Sequence, residues 1–141
     1  MKPELRIELL PWDEARAHAV PIRFAVFVEE QGVPLEIELD EMDAGSLHAI
    51  AFENDSPVGT GRLLPDGHIG RMAVLKGWRG RGVGGRILAA LMDEARRRGD
   101  REVILSAQVR ATAFYRLHGF AEEGAEYLDA GIPHRMMRRL L

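Results

Sequence analysis

The chain turns on Met72-Ala73-Val74-Leu75, then Lys76-Gly77-Trp78, then Arg79-Gly80-Arg81-Gly82-Val83-Gly84-Gly85, then Arg86 through Arg98. Ile69, Met72, Val74 and Leu75 form a short apolar run of strand type. Val83, Ile87, Leu88, Leu91, Met92 and Ala95 share one helical face. Gly99, behind the basic Arg96-Arg97-Arg98, is a natural helix stop. The spacing predicts a strand, a tight glycine-rich turn and an amphipathic helix.

A helix N-terminus presents amide N–H groups without partners and the positive end of the dipole, so it receives anions. Gly80, Gly82 and Gly84 omit the β-carbons that would hold a phosphate away from those amides. Arg79 and Arg81 add charge-assisted donors at the same place. The pattern predicts a pyrophosphate cradle. It lacks Gly-Lys-Ser/Thr, so it is not a P-loop. Gly80-x-Gly82-x-x-Gly85 also matches the dinucleotide fingerprint, with Glu102 as the acidic residue about 20 positions on. Little chain remains after it to build a nicotinamide half. A third reading is a plain helix start with solvated arginines.

Arg79-x-x-Gly82-x-Gly84 after a strand resembles the acetyl-CoA signature of the GNAT superfamily of N-acetyltransferases. Ala113-Phe114-Tyr115-Arg116-Leu117-His118-Gly119-Phe120 resembles that family's second marker, a helix ending in Phe-Tyr-x-x-x-Gly-Phe. Together the two markers cover roughly the C-terminal half. Upstream, Arg23-x-x-Val26-Phe27-Val28-x-Glu30-Gln31-x-Val33-Pro34, followed by Asp40 and Asp43, is similar to a small bacterial GNAT subgroup.

The length, 141 residues, predicts a single domain over 1–141. Apolar residues make up 46%, enough for a core. A formal charge of −3 argues against a nucleic-acid module that relies on overall basicity. With no cysteine, disulfides, thiolate metal sites and a cysteine acyl-enzyme are excluded. No apolar run approaches the ~20 residues of a membrane span. Met1-Lys2-Pro3-Glu4 has no leader layout, so a cytoplasmic location and no membrane partner are expected. His18, His48, His68, His118 and His134 show no ligand spacing, so no metal is expected.

Leu5, Ile7 and Leu9 alternate with charge as a first strand that Pro11 ends. Asp13 is placed to cap a following helix, which Pro21 either interrupts or restarts. Glu29, Glu30, Glu36, Glu38, Asp40, Glu41 and Asp43 form an acidic segment. It reads as a solvated loop with a little helix, or as a negative rim that attracts a cationic amine. His48 to Phe52 and Val58 to Leu64 are strands, with a turn over 54–57. Gly59, Thr60 and Gly61 mark a bulge or a close packing point. His68 to Leu75 is the key strand, and Val103 to Ala107 is a buried strand parallel to it. A short helix over 111–118, a strand from Phe120, a loop over 130–133 and a strand from His134 to Leu140 complete the chain. The expected class is α/β (α+β): a mixed twisted sheet of about six to seven strands with helices on both faces, as in the GNAT-like acyl-CoA N-acyltransferase fold.

The resemblance implies acetyl-CoA as co-substrate, with Met72, Ala73 and Val74 pairing its pantetheine arm and Arg79, Gly80, Arg81, Gly82, Val83 and Gly84 around its pyrophosphate. Phe114 packs beside it. The family supplies the open strand edge by a splay between two parallel strands. A backbone N–H near Val74 is the usual oxyanion donor. The simplest chemistry is direct attack by a bound amine, helped by positioning and amide donors. Tyr115 matches the family's acid for a leaving thiolate whose ordinary pKa is about 8.5; otherwise it packs between Phe114 and Phe120. Many relatives carry a glutamate base where this chain has Gly70. Glu30, Asp40, Asp43 and His134 remain as base candidates, and Glu30, Asp43 and His134 are read as acceptor contacts. Trp12 and Trp78 are read as packing residues. The acceptor is a small-molecule or peptide amine, and homodimers are common in the family. The alternatives are a non-catalytic acyl-CoA or nucleotide binding module and a regulatory acyl-CoA sensor.

Overall fold

The computed structural model describes residues 4–141, and the leader reading of residues 1–3 lies outside them. Among the described residues, β1 (Leu5–Pro11), β2 (Leu47–Glu53), β3 (Ser56–Leu63), β4 (His68–Val74), β5 (Glu102–Gln108), β6 (Ala121–Asp129) and β7 (Ile132–Leu140) form one sheet. Its order is β1-β2-β3-β4-β5-β7-β6. The pair β4–β5 is parallel, and the other neighbours are antiparallel.

Alternation along β2 divides the core between two faces. Ala49 and Ala51 face α3 (Val83–Arg97), and Ile50 and Phe52 pack with Ala15 and Ala19 of α1 (Trp12–Arg23). The helix face read from the sequence, Val83 through Ala95, is buried as expected. It sits close because β3 is bare there. A Cβ on Gly61 would lie 2.7 Å from Met72 Sδ and 2.8 Å from Ile87 Cγ2. The register between β3 and β4 also shifts between Thr60 and Arg62, so this glycine run is both a packing point and an irregularity.

Three local expectations are corrected. Asp13 lies in the first turn of α1 and makes no capping bond; Pro11 occupies the cap position. Pro21 neither ends nor restarts the helix, because α1 continues to Arg23 and then widens into a π-helical segment, Phe24–Glu30. An interior proline costs about 3 kcal/mol. Burying Ile22 and Val26, 2% and 4% exposed, offsets that at about 1.5–3 kcal/mol each. Lastly, Ile132 and Pro133 belong to β7; only Ala130 and Gly131 turn, both at positive φ (51° and 75°), as a two-residue hairpin requires.

The acidic segment is solvated only in part: Glu29, Glu30, Glu36 and Glu41 are exposed, whereas Glu38 and Asp43 are buried. Those two fold inward over Arg23, which has no exposed surface. Arg23 Nη1 donates to Asp43 Oδ1 at 2.8 Å, Nη2 to Glu38 O at 3.0 Å, and Nε to the Glu38 carboxylate. The Arg23 guanidinium also lies 5.5 Å from the ring centroid of Trp12. Arg62 Nη1 reaches Asp43 from β3 at 3.1 Å, and His48 Nε2 donates to Asp43 O at 2.9 Å. Burial alone would raise the Asp43 carboxyl, but the two guanidiniums outweigh it and hold the group below its ordinary 3.8. Burial pushes the His48 imidazole below its ordinary 6.5.

Both shifts make acid destabilising. Below pH 6.5 the unfolded chain takes up the His48 proton that the folded chain resists, and below about pH 4 the same holds for Asp43. The urea midpoint should be flat from pH 8 to 7, fall below about 6.5, and fall again below about 4. His48→Gln should remove the first decline. A wild-type midpoint constant down to pH 5 would contradict this account.

Candidate active site

Strands β4 and β5 pair at His68↔Ile104 and Ile69↔Leu105, and there the ladder stops. The parting coincides with Arg71, which has a φ of 49°, opposite the shifted β3 register. A bulge of this kind bends and twists its strand. Beyond it, β4 keeps its β3 partners at Thr60↔Ala73 and Gly59↔Val74, while β5 follows β7 along its whole length. The Leu75 N–H donates to Val58 O at 2.9 Å. Alternation therefore turns the Met72 and Val74 amides toward the gap.

A cleft of about 840 Å³ runs through the gap. At one end lies the glycine turn. Gly82 caps α3 at φ 80°, and the first helical bond runs from Arg86 N–H to Gly82 O at 3.1 Å. The Val83, Gly84 and Gly85 amides precede that bond and point out of the helix end. Gly80 and Gly82 are required by their left-handed backbone more than by clearance, since a Cβ on either would meet no atom within 4 Å. Gly84 lies against Phe114, whose Cζ would be 3.5 Å from an added Cβ.

Both arginines of the turn have a carboxylate partner. Arg79 forks onto Glu30 at 2.9 and 2.7 Å, and its Nε donates to Val74 O at 2.9 Å. It ties the π-helical segment to the end of β4. Arg81 stands 3.5 Å from Glu53. The helix-end amides face an anion directly, and the Arg81 guanidinium, exposed and only loosely paired, stands at the same turn. Glu102 opens β5, at the end of the sheet away from the turn, and pairs with Arg138, so it cannot serve a dinucleotide ribose there.

Tyr115, on α4 (Thr112–Leu117), lines the middle of the cleft with Met72, Ala73, Val74 and Phe114. Its ring meets Phe114 and Phe120 edge-on, at centroid distances of 5.1 and 5.9 Å. Burial pushes its phenol up to about 12. Its hydroxyl bonds to no described residue, so packing leaves that end available.

Glu30 and His134 also line the cleft, whereas Asp43 does not. The Arg79 fork holds the Glu30 carboxyl below its ordinary 4.5. Asp40 receives Arg62 at 2.7 Å and Arg71 at 3.1 Å. His134 stands beside Gln108 in register, and its Nδ1–H donates to Ile132 O at 2.6 Å. A carbonyl only accepts, so in the neutral ring the lone pair is on Nε2. Arg62, Arg71, Gln31 and Gln108 also line the cleft. Sequence reasoning missed them as site residues, and only strand register brings them there. Among the described residues, no group of three or more His, Asp or Glu is placed to hold a metal, and no helix is long and apolar enough to cross a membrane.

A seven-stranded mixed sheet, parted between its parallel strands with a helix N-terminus at the gap, is the acyl-CoA N-acyltransferase architecture. The model of the acetyltransferase (GNAT) domain matches residues 14–141; the chain belongs to that family and is an acyltransferase. It is 42% identical over 131 residues to YjcF, an uncharacterized N-acetyltransferase of Bacillus subtilis, covering 90% of this chain and 94% of that protein. A Lactobacillus plantarum structure superposes with a TM-score of 0.89 at 30% identity, covering 97% and 98% of the two chains. An acyl-CoA N-acyltransferase from Pseudomonas aeruginosa superposes at 0.86 and 29% identity, covering 96% and 99%.

Gly82→Val forces a β-branched residue to φ 80°, a strain of about 1–3 kcal/mol at the helix cap. Isothermal titration should show acetyl-CoA affinity reduced at least about tenfold. Unchanged affinity would remove the turn from the site.

Proposed function

We propose that the protein transfers the acetyl group of acetyl-CoA to a primary amine, of a small molecule or lysine-like, by direct attack in a ternary complex. One observation carries the reading. The outward amides of Met72 and Val74 converge with the helix-end amides of Val83, Gly84 and Gly85 in one cleft. A ligand with an amide-bearing arm and a diphosphate satisfies both sets. The residues present fit such a group, and a thioester bound there supplies the activated acyl carbon. The Met72 or Val74 N–H then stabilises the carbonyl oxygen as it gains charge.

Tyr115 is the acid for the departing sulfur. A phenol raised to about 12 stays protonated across the working range of pH. His134 is the base for the ammonium of the acceptor, through Nε2. The carboxylates serve this purpose poorly, because Glu30, Asp40 and Asp43 are each held by guanidinium groups. A carboxylate kept anionic by a fixed cation gains little by taking a proton. The expected setting is the cytoplasm. A non-catalytic acyl-CoA binding module is the alternative.

The test is an amine library read out by free thiol. Turnover with any amine supports the proposal; CoA binding without turnover favours the binding module, and NADH binding without a CoA response rejects both. Tyr115→Phe should keep acetyl-CoA affinity and slow turnover by about 10²–10⁴. Wild-type rates in that variant would remove Tyr115 from the mechanism.

A further inference from the structure

Arg62 of β3 faces Gly70 of β4 in register, and both line the cleft. The arginine is 6% exposed. Its Nη1 is occupied, donating to Asp40 Oδ1 at 2.7 Å and Asp43 Oδ1 at 3.1 Å. Its Nε is fully buried and has no partner. Its Nη2 bonds to no described residue. Nε and Nη2 share one edge of the guanidinium plane, which is a fork that takes a carboxylate in two parallel bonds.

A buried donor left without an acceptor costs about 1–3 kcal/mol, so an orphan at a cleft wall calls for an occupant. Space for one is present. Side chains on antiparallel partners lie on one face about 4.5–5.5 Å apart. Gly70 has no side chain, and a Cβ there would meet nothing within 4 Å. Arg23, Arg62 and Arg71 balance Glu38, Asp40 and Asp43 in formal charge. The unpaired edge is therefore selected by geometry rather than by surplus charge. Glu38 and Asp43 do not line this cleft, so they stand behind the arginine and not in front of it.

We infer that the acceptor amine carries a carboxylate, which docks on the Nε–Nη2 edge of Arg62 in the space left by Gly70. This rests on the reading that the cleft acetylates an amine. From Gly70 to Met72 the chain advances at most about 7 Å, less where Arg71 bulges. The amine and the carboxylate are therefore a few bonds apart, as in an α-, β- or γ-amino acid. The missing side chain at Gly70 thus sets acceptor specificity.

The test is binding of the corresponding products to the CoA-saturated protein, followed by NMR titration. The probes are N-acetylglycine, N-acetyl-β-alanine and N-acetyl-γ-aminobutyrate, each against its neutral counterpart: N-methyl-, N-ethyl- and N-propylacetamide. At least one acid should bind ten times or more tightly than its counterpart. Gly70→Glu, which fills the space and offers the fork an internal carboxylate, should abolish that difference while CoA affinity holds. Arg62→Gln should do the same; where its loss of the Asp43 pairing prevents folding, Gly70→Glu decides alone. Equal binding of acids and neutral amides, or a preference that survives Gly70→Glu, overturns the inference. Thiol release keeps the two questions apart. Turnover of amines with no preference for acids overturns the carboxylate site and leaves acetyl transfer standing. Product binding of the expected pattern with no turnover of any amine favours a carboxylate-binding module and overturns the inference together with the transferase reading.

Discussion

A parallel strand pair that separates after two ladder positions leaves backbone polar groups facing a gap in the middle of a sheet. Such groups demand partners, because an unmet buried amide costs about 1–3 kcal/mol. Most of the molecule arranges that gap. The irregularity at Thr60 and Arg71 opens it, and the β5–β7 pairing keeps β5 from closing back on β4. The bare surface of β3 lets α3 settle with its N-terminus at the mouth. The same parting that weakens the sheet makes the acyl donor's place.

The acceptor side is held by a different kind of interaction. Arg23, without exposed surface, gathers Glu38 and Asp43 beneath the π-helical segment, and Arg79 ties that segment's Glu30 to the end of β4. Breaking the buried Arg23 pairs typically costs about 3–5 kcal/mol, whereas the part-exposed Arg79–Glu30 pair contributes little. This side of the cleft is built from charges already paired with one another. What remains for an acceptor are groups that this network leaves over, chiefly the unpaired edge of Arg62 and Nε2 of His134.

Much of this was legible in the chain. The six apolar positions of α3 and the glycine cap follow from local periodicity and from backbone conformations that only glycine takes readily. Tyr115 was readable from its place before Gly119 and Phe120. The splay was not, because it arises from long-range register and not from any local pattern. The acidic segment misled for a related reason. A run of carboxylates states its charge but not its direction, and Arg23, which draws it inward, lies 20 positions before Asp43. Arg79 was assigned to phosphate on sequence grounds, yet Glu30 lies nearer in space than any local pattern indicates. Arg62 gave no signal, since its meaning depends on Gly70 standing opposite.

Amide hydrogen exchange on adding acetyl-CoA addresses the central claim most directly. Met72 and Val74 face the gap and should become protected, together with Val83, Gly84 and Gly85, whereas Leu75, already bonded to Val58, should not change. Protection spread equally over Met72 through Leu75, or none at Met72 and Val74, would contradict an open strand edge as the acyl donor's seat.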